Sequence, residues 1–572
     1  MVRQGVLTKR RPATGRPAAV WPGAALVAVL ALVAYINAFH GAFVYDDRDT
    51  VIANPSLRDP SNLRFIITFS LFRPFVNISY AIDYAIWQLN PFGYHLTNIV
   101  LHALAAVAWY LVVLRIVEDR NKRAERALPV MAVAFGAASL WAVHPLLTEA
   151  VGYVSGRSEV LGAVWLLPAF LAFRRAALDH VRAAYFGGIL AFLLALGSKE
   201  TAAMLPFLLL LWDRLFVERL GFRHRLLTLH LPLVAVVVSA ALVRVFTLVS
   251  AEAGLLRSPW QNLLTQARVV LGYVSLVFVP DGQSIMHGVR VAPDAWHVPS
   301  LLAMLAIGLA VWGAWRMRRC EPLVTLGVLW FFLMLLPSSS IIALKEPMAE
   351  HRAYLAAAGL VLAAVGGALA WPRARLATLR WVFGTLVIAL VSLTWARNAV
   401  WADPVHVWAE AVETAPNQWE AHYALADALR EQQRCAEALP EYETVLQLSP
   451  AHRDAANNLG ICLAQLGRYD QARAAFEAAV QIDPTFARAC NNLGNLALVT
   501  GDHAAARREF ARALNLDHGN VTARRQLAAV SEADGDYAEA VRYCHELMGL
   551  QGRTPELLEC IRRNEERLRA PR

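Results

Sequence analysis

Apolar residues run in blocks through the first ~395 residues of the chain, separated by short polar connections. Several blocks approach the ~20 residues a helix needs to cross a bilayer. The pattern predicts spans near 22–39, 96–116, 128–143, 159–173, 183–198, 201–217, 227–250, 299–315, 322–343, 353–370 and 378–395. A further run, 262–280, carries Gln266 and Arg268 and reads as a re-entrant or interfacial helix. The basic stretch "VRQGVLTKRRPATGRP" is not followed by a small-residue cleavage site, so 21–39 is expected as a retained first span.

After Arg397 the pattern changes to polar, Ala-rich sequence with a 34-residue period. Leu425, Leu459, Leu493 and Leu527 recur in phase, each followed by a small residue: Ala426, Gly460, Gly494 and Ala528. Ala438, Ala472, Ala506 and Ala540 follow, then Tyr442, Phe476, Phe510 and Cys544, and Pro450 and Pro484 close two units. Small residues let paired helices approach closely, and the aromatic fills the gap. This resembles the tetratricopeptide repeat, with helix pairs starting near 419, 453, 487 and 521. Stacking is expected to bury Leu459, Phe476, Leu493 and Phe510. "VHVWAEAVETAPN" reads as the second helix of a truncated earlier unit, and "TPELLECIRRNEERLRA" as a polar capping helix.

Composition agrees with a membrane protein. Of 572 residues, 57% are hydrophobic and only 17% charged, too apolar for a soluble globular chain of this length. The net charge of +9 invites a nucleic-acid reading. However, the basic residues cluster between apolar runs, as in "RIVEDRNKRAER", "FRRAALDHVR", "DRLFVERLGFRHR" and "RMRR". By the positive-inside rule these connections are cytoplasmic. The alternate connections and everything after Arg397 are then external, provided that 262–280 does not cross. Six cysteines show no metal-binding or CxxC spacing. The five in the last third (Cys435, Cys462, Cys490, Cys544 and Cys560) are expected as small buried apolar residues.

The external connections are short, yet they hold most of the ionisable residues near span ends. These include Asp46, Asp47, His144, Glu149, Arg157, Lys199, Glu200, Glu350, His351 and Arg352. Any one reads equally well as a cap or a snorkelling side chain; Lys199 and Glu200 form an ion pair on that view, and His144 caps the turn before Pro145. As a set they converge with both signs on one face, which marks a functional candidate. Clustered Arg and Lys at lipid depth suit a phosphate with a lipid tail. A carboxylate opposite them suits removal of a proton from an incoming hydroxyl. Together they suggest displacement of a polyprenyl phosphate by an alcohol. No cofactor is required; the aspartates are also good hard-cation ligands, so a divalent metal stays open.

"FVYDDRDTVIANPSL", "HPLLTEAVGYVSGRSEVLGAV", "SKETAAMLP" and "EHRAYLAAAGL", followed by the repeats, resemble the transmembrane and tetratricopeptide-repeat O-mannosyltransferases of the GT-C glycosyltransferase superfamily. The resemblance implies an all-α fold, a polytopic transmembrane GT-C-like domain followed by a repeat solenoid. It implies inverting transfer of a sugar, mannose in the family, from a polyprenyl-phosphate donor to protein Ser/Thr hydroxyls on the non-cytoplasmic face. The acidic pair of the first external connection maps onto Asp46 and Asp47, and the charged motif before a late span onto Glu350, His351 and Arg352. Either aspartate qualifies as the base; Asp46 is favoured because relatives often place the base first in the pair. Arg352, Arg157, Lys199 and His351 are expected at the donor phosphate, with Glu149, Glu200, Glu350 and His144 supporting them.

The expected organisation is a basic cytoplasmic segment 1–20, a membrane domain 21–397 with 11–12 apolar segments, a linker with half repeat 398–418, four repeats 419–554 and a cap 555–572. The Arg- and Ala-rich composition looks bacterial, which points to an inner membrane with the repeats outside the cytoplasm. The expected partners are the lipid-linked sugar, acceptor proteins bound by the repeats, and the bilayer. Rival readings are a non-catalytic membrane-anchored scaffold and an enzyme with a lipid or cell-wall glycan acceptor.

Overall fold

The computed structural model describes residues 20–218, 220–248, 257–340, 343–373 and 375–569. The expected basic segment lies outside them except for Val20. So do the end of the run 227–250, residues 341–342 of the run 322–343, and the last three residues of the cap. Among the described residues all regular structure is helical. The chain divides into two units, Met1–Val407 and Trp408–Arg572.

In the first unit each of the eleven predicted apolar runs contains a helix. Seven described helices are long and apolar enough to cross a membrane: Val20–His40, Pro91–Asn121, Val154–Asp179, Phe222–Val243, Val298–Arg319, Glu350–Ala370 and Leu376–Val400. The run 128–143 continues past a 54° bend into Pro145–Val151, giving an eighth candidate. The runs 183–198 and 322–343 yield the shorter apolar helices Arg182–Leu196 and Pro322–Leu335. The run 201–217 yields the 12-residue Leu205–Phe216.

The segment before the second span holds two helices that the hydropathy pattern passes over, Leu63–Phe69 and Pro74–Trp87. Both are too short to span a bilayer. Asn62 caps the first by accepting from Phe65 N–H, and Pro74 opens the second. Asn77 ties them together: its Nδ2 donates to Ile66 O (2.7 Å) and Ser56 Oγ (3.0 Å), and its Oδ1 accepts from Asn54 (2.9 Å).

The core of this unit fixes the helix that begins at Glu350. Gly327 and Gly359 face each other where Pro322–Leu335 crosses Tyr354–Ala370. A Cβ on Gly327 would lie 2.3 Å from Gly359 O, so only glycine allows the approach. Beside this crossing Trp330 Nε1 donates to Leu355 O (2.9 Å) and Trp141 Nε1 to Tyr354 O (2.8 Å). The Tyr354 hydroxyl meets His102 Nδ1 at 2.8 Å. The turn just before Tyr354 is thereby held in a fixed place.

The run 262–280 forms helix Pro259–Phe278, opened by a capping box at Ser258 and Gln261. Along its length it bonds to the connections of one face: Asn262 to Ser340 O (2.7 Å), Gln266 to Pro347 O (2.8 Å), and Tyr273 OH to Ala349 O (2.8 Å). Val277 O bonds to His144 Nε2 at 2.9 Å. These partners are spread along the whole helix and are not gathered at one end.

In the second unit, helix pairs begin at Trp419, Arg453, Ala487 and Val521, and Pro555–Arg569 follows them. A Cβ on Gly460 would meet the Phe476 ring at 2.6 Å, and one on Gly494 the Phe510 ring at 2.7 Å. The aromatic therefore fills the notch left by the glycine of the same repeat. Phe476, Leu493 and Phe510 are buried as expected, whereas Leu459 stays partly exposed. The cysteines correct the reading differently. Cys435, Cys462 and Cys490 are free and buried, but Cys544 and Cys560 form a disulfide that ties the last repeat to the cap. Sixteen residues separate them, which no zinc or CxxC pattern flags. Phe476→Ala is expected to cost ~3–5 kcal/mol. Hydrogen exchange on the full chain checks this: protection should fall in 453–482 and in the adjoining pairs. Unchanged protection there would contradict the packing.

Candidate functional site

Three consecutive residues of the first connection have different fates. Tyr45 sits at φ +49°, the left-handed region that costs a non-glycine residue ~1–2 kcal/mol. Its hydroxyl bonds the Glu346 carboxylate, which holds this connection against the segment leading to Arg352. Asp47 then turns inward. Its Oδ1 accepts from Ser155 N–H (2.8 Å) and Ser155 Oγ (2.6 Å), and its Oδ2 from Val44 N–H (3.1 Å). Burial pushes its pKa up to about 7 despite these bonds.

Asp46 points the other way and is exposed. Its N–H donates to Tyr153 OH (3.0 Å), and Tyr153 stacks on Trp401. The protein walls around the Asp46 carboxyl strip part of its hydration and raise its pKa. Glu346 raises it further, while Tyr153 and Lys345 oppose the shift. A carboxylate with a raised pKa, solvent access and a fixed backbone is equipped to accept a proton.

The segment that bears Lys345 and Glu346 leads into the turn Glu350–Ala353. Glu149 is buried and grips it twice, through Glu350 N–H (2.8 Å) and His351 Nδ1 (2.5 Å). Glu350 in turn accepts from Ser284 N–H (2.7 Å) and Gln283 Nε2 (2.7 Å), and meets His287 Nε2 at 3.0 Å. Glu149, Glu350 and His351 thus come together as the expectation requires. Gln283, Ser284 and His287 were missed, because they sit in an irregular connection with no periodic signal.

Arg352 donates to Glu346 O (2.9 Å) and lies 4.0 Å from the Glu346 carboxylate. Arg257, also missed, is anchored on Leu344 O, and its Nε has no partner among the described residues. Burial, and then the nearby Arg352 guanidinium, hold the Arg257 pKa below the ordinary arginine range. Like charges held side by side suit an anion between them.

The remaining expected residues have other duties. Arg157 is fully buried, 2.6 Å from Asp83, and donates to Asn98 Oδ1 (2.7 Å), Tyr94 O (2.9 Å) and Ser79 Oγ (3.2 Å). Its guanidinium also lies 4.6 Å above the Tyr80 ring. Its donors are committed, so the phosphate role read for Arg157 gives way to a structural one. Lys199 pairs with Glu159 (2.8 Å), not with Glu200, which pairs with Arg73 (3.1 Å). The Lys199–Glu159 pair still lies within electrostatic reach of His351. His144 caps the turn at Pro145, its Nδ1 accepting from Leu146 N–H (3.2 Å). Among the described residues no three His, Cys, Asp or Glu side chains are grouped to hold a metal ion.

The fold and this cluster define a polytopic all-helical membrane protein with a charged site on one face and a tetratricopeptide-repeat array. Two tetratricopeptide-repeat family models match residues 423–485 and 463–530. The chain is 25% identical over 451 residues to the protein O-mannosyl-transferase F38B6.6 of Caenorhabditis elegans, covering 74% of this chain and 62% of that one. It is 26% identical over 529 residues to the protein O-mannosyl-transferase TMTC1 of Homo sapiens, covering 79% and 58%. Over 193 residues it is 32% identical to the protein O-mannosyl-transferase Tmtc1 of Drosophila melanogaster, covering 32% and 21%. The chain therefore spans at most about three fifths of these relatives' length. The resemblance read from the motifs holds: the similar proteins are named protein O-mannosyl-transferases, and this chain carries the tetratricopeptide repeats.

Proposed function

We propose that the chain is a membrane glycosyltransferase that moves mannose from a polyprenyl-phosphate donor to Ser or Thr hydroxyls of proteins. The observation that carries this reading is the Asp46 carboxylate, exposed on a clamped connection and facing the segment that bears Lys345, Glu346 and Arg352. Asp46 is the base that takes the acceptor proton. The hydroxyl oxygen then attacks the anomeric carbon as its bond to the phosphate breaks, with inversion. Arg352 and Arg257 receive the negative charge that develops on the leaving phosphate. Asp47 fixes the connection, and Glu149 and Glu350 fix the turn that carries Arg352. The repeats engage acceptor or partner proteins.

The basic connections at the opposite ends of the spans support an external site face. The Cys544–Cys560 bridge supports the same orientation for the array, because such bonds persist in oxidising compartments. An inner membrane with the array outside the cytoplasm fits both.

The test is transfer of labelled mannose by the purified chain from a polyprenyl-phosphate donor to extracytoplasmic proteins. Label on Ser or Thr supports the reading; label only on lipid or glycan, or none, counts against it. Arg352→Lys keeps the charge and loses the planar fork. At limiting donor, transfer should fall by about tenfold or more, as expected for a lost charge-assisted contact of ~1.5–3 kcal/mol. Wild-type rates there would remove Arg352 from the phosphate.

A further inference from the structure

A cavity lies at the end of these helices opposite the candidate site. It encloses about 1040 Å³ and is lined by six arginines: Arg120, Arg123, Arg126, Arg214, Arg318 and Arg319. Helix Glu350–Ala370 connects the two places, with the site turn at its first residue and Ala370 in the cavity wall. That is about 30 Å along a helix axis, so the cavity is no part of the catalytic cluster.

The cavity holds excess positive charge. Four carboxylates also line it, but Asp213 is already held by Arg225 (2.8 Å) and His230 (2.9 Å), leaving three against six arginines. Surface arginines near span ends are ordinary; Arg120 is not. It is 6% exposed, its guanidinium is spent on Asn121 Oδ1 and Arg126 O, and its Nε has no partner among the described residues. An unpartnered donor on a buried cation, in the wall of a cavity, calls for an anionic acceptor. The place fits as well. The arginines come from the ends of three apolar helices (Pro91–Asn121, Leu205–Phe216 and Val298–Arg319) and from the connection that follows the first, where bilayer head groups lie.

We propose that this cavity binds the head group of an anionic phospholipid, with arginine forks on the phosphate oxygens. The claim does not depend on the transferase reading.

Native mass spectrometry of the full chain, released from vesicles of equal parts phosphatidylcholine and phosphatidylglycerol, tests it. Phosphatidylglycerol should be retained in preference to phosphatidylcholine. Removing one arginine should weaken retention about fivefold. The pair Arg318→Gln/Arg319→Gln, the first partly exposed and the second exposed, tests this without touching the buried Arg120, and Arg120→Gln adds to it where the chain folds. Arg182→Gln, on the same face but outside the cavity, should leave retention unchanged. Equal retention of both lipids overturns the proposal. So does loss with Arg182→Gln as large as with the cavity pair, which would mean general surface attraction. Displacement by inorganic phosphate would assign the cavity to free phosphate and also overturn it.

Discussion

Replacing Asp46 by asparagine should lower mannose transfer by roughly 10²–10⁴-fold while the chain stays folded, because base catalysis is lost and little else changes. A Ser or Thr hydroxyl is far too weak an acid to ionise at neutral pH, so attack depends on a nearby acceptor for its proton. Asp46 is exposed and accepts no hydrogen bond from the pinning that fixes Asp47. The two aspartates should therefore separate cleanly. Asp46→Asn loses turnover with melting unchanged, whereas Asp47→Asn keeps one acceptor oxygen and turns an amide NH2 toward either Val44 N–H or Ser155, which lowers melting first. The pH profile should follow the sign of the shift. The base works only when ionised, and the Asp46 pKa is raised. Activity should thus fall on the acid side at a pH above the usual carboxylate range and return as pH rises through that pKa. Near-normal turnover in Asp46→Asn, measured with purified donor, would leave Asp46 without a chemical role.

The second large effect concerns Arg157. Asp83→Ala leaves a fully buried guanidinium without its counter-charge and should destabilise the membrane unit by ~3–5 kcal/mol. Replacing both partners by apolar residues, as in Arg157→Met with Asp83→Leu, should recover much of that loss, since no charge then remains buried. Thermal unfolding of the purified chain distinguishes these variants. A folded Arg157→Lys enzyme with an undiminished melting temperature and a raised donor KM would restore Arg157 to the phosphate.

The sequence carried the helical segments well because bilayer length and the 34-residue period leave direct traces in apolar spacing. Gly460 over Phe476 and Gly494 over Phe510 are the small and large positions that the period exposes. Helices Leu63–Phe69 and Pro74–Trp87 left no such trace, since their apolar runs are shorter than a span. The charged cluster was legible as a set, and Glu149, Glu350 and His351 do meet. Partners were not legible. Nothing in the spacing tells that Lys199 turns to Glu159 and Glu200 to Arg73, because the partners of each pair are far apart in the chain. Arg257 and His287 are likewise lone polar residues in irregular stretches, and only the fold gives them neighbours.

Tyr45 stands where stability and activity pull in opposite directions. Its left-handed backbone is unfavourable for a tyrosine, and glycine at that position would relieve it. The same change would delete the hydroxyl that joins the aspartate connection to Glu346. Laboratory evolution for heat resistance alone would drift toward glycine here and deliver a sturdier protein with a loosened site. Only a screen that also scores sugar transfer would keep the tyrosine.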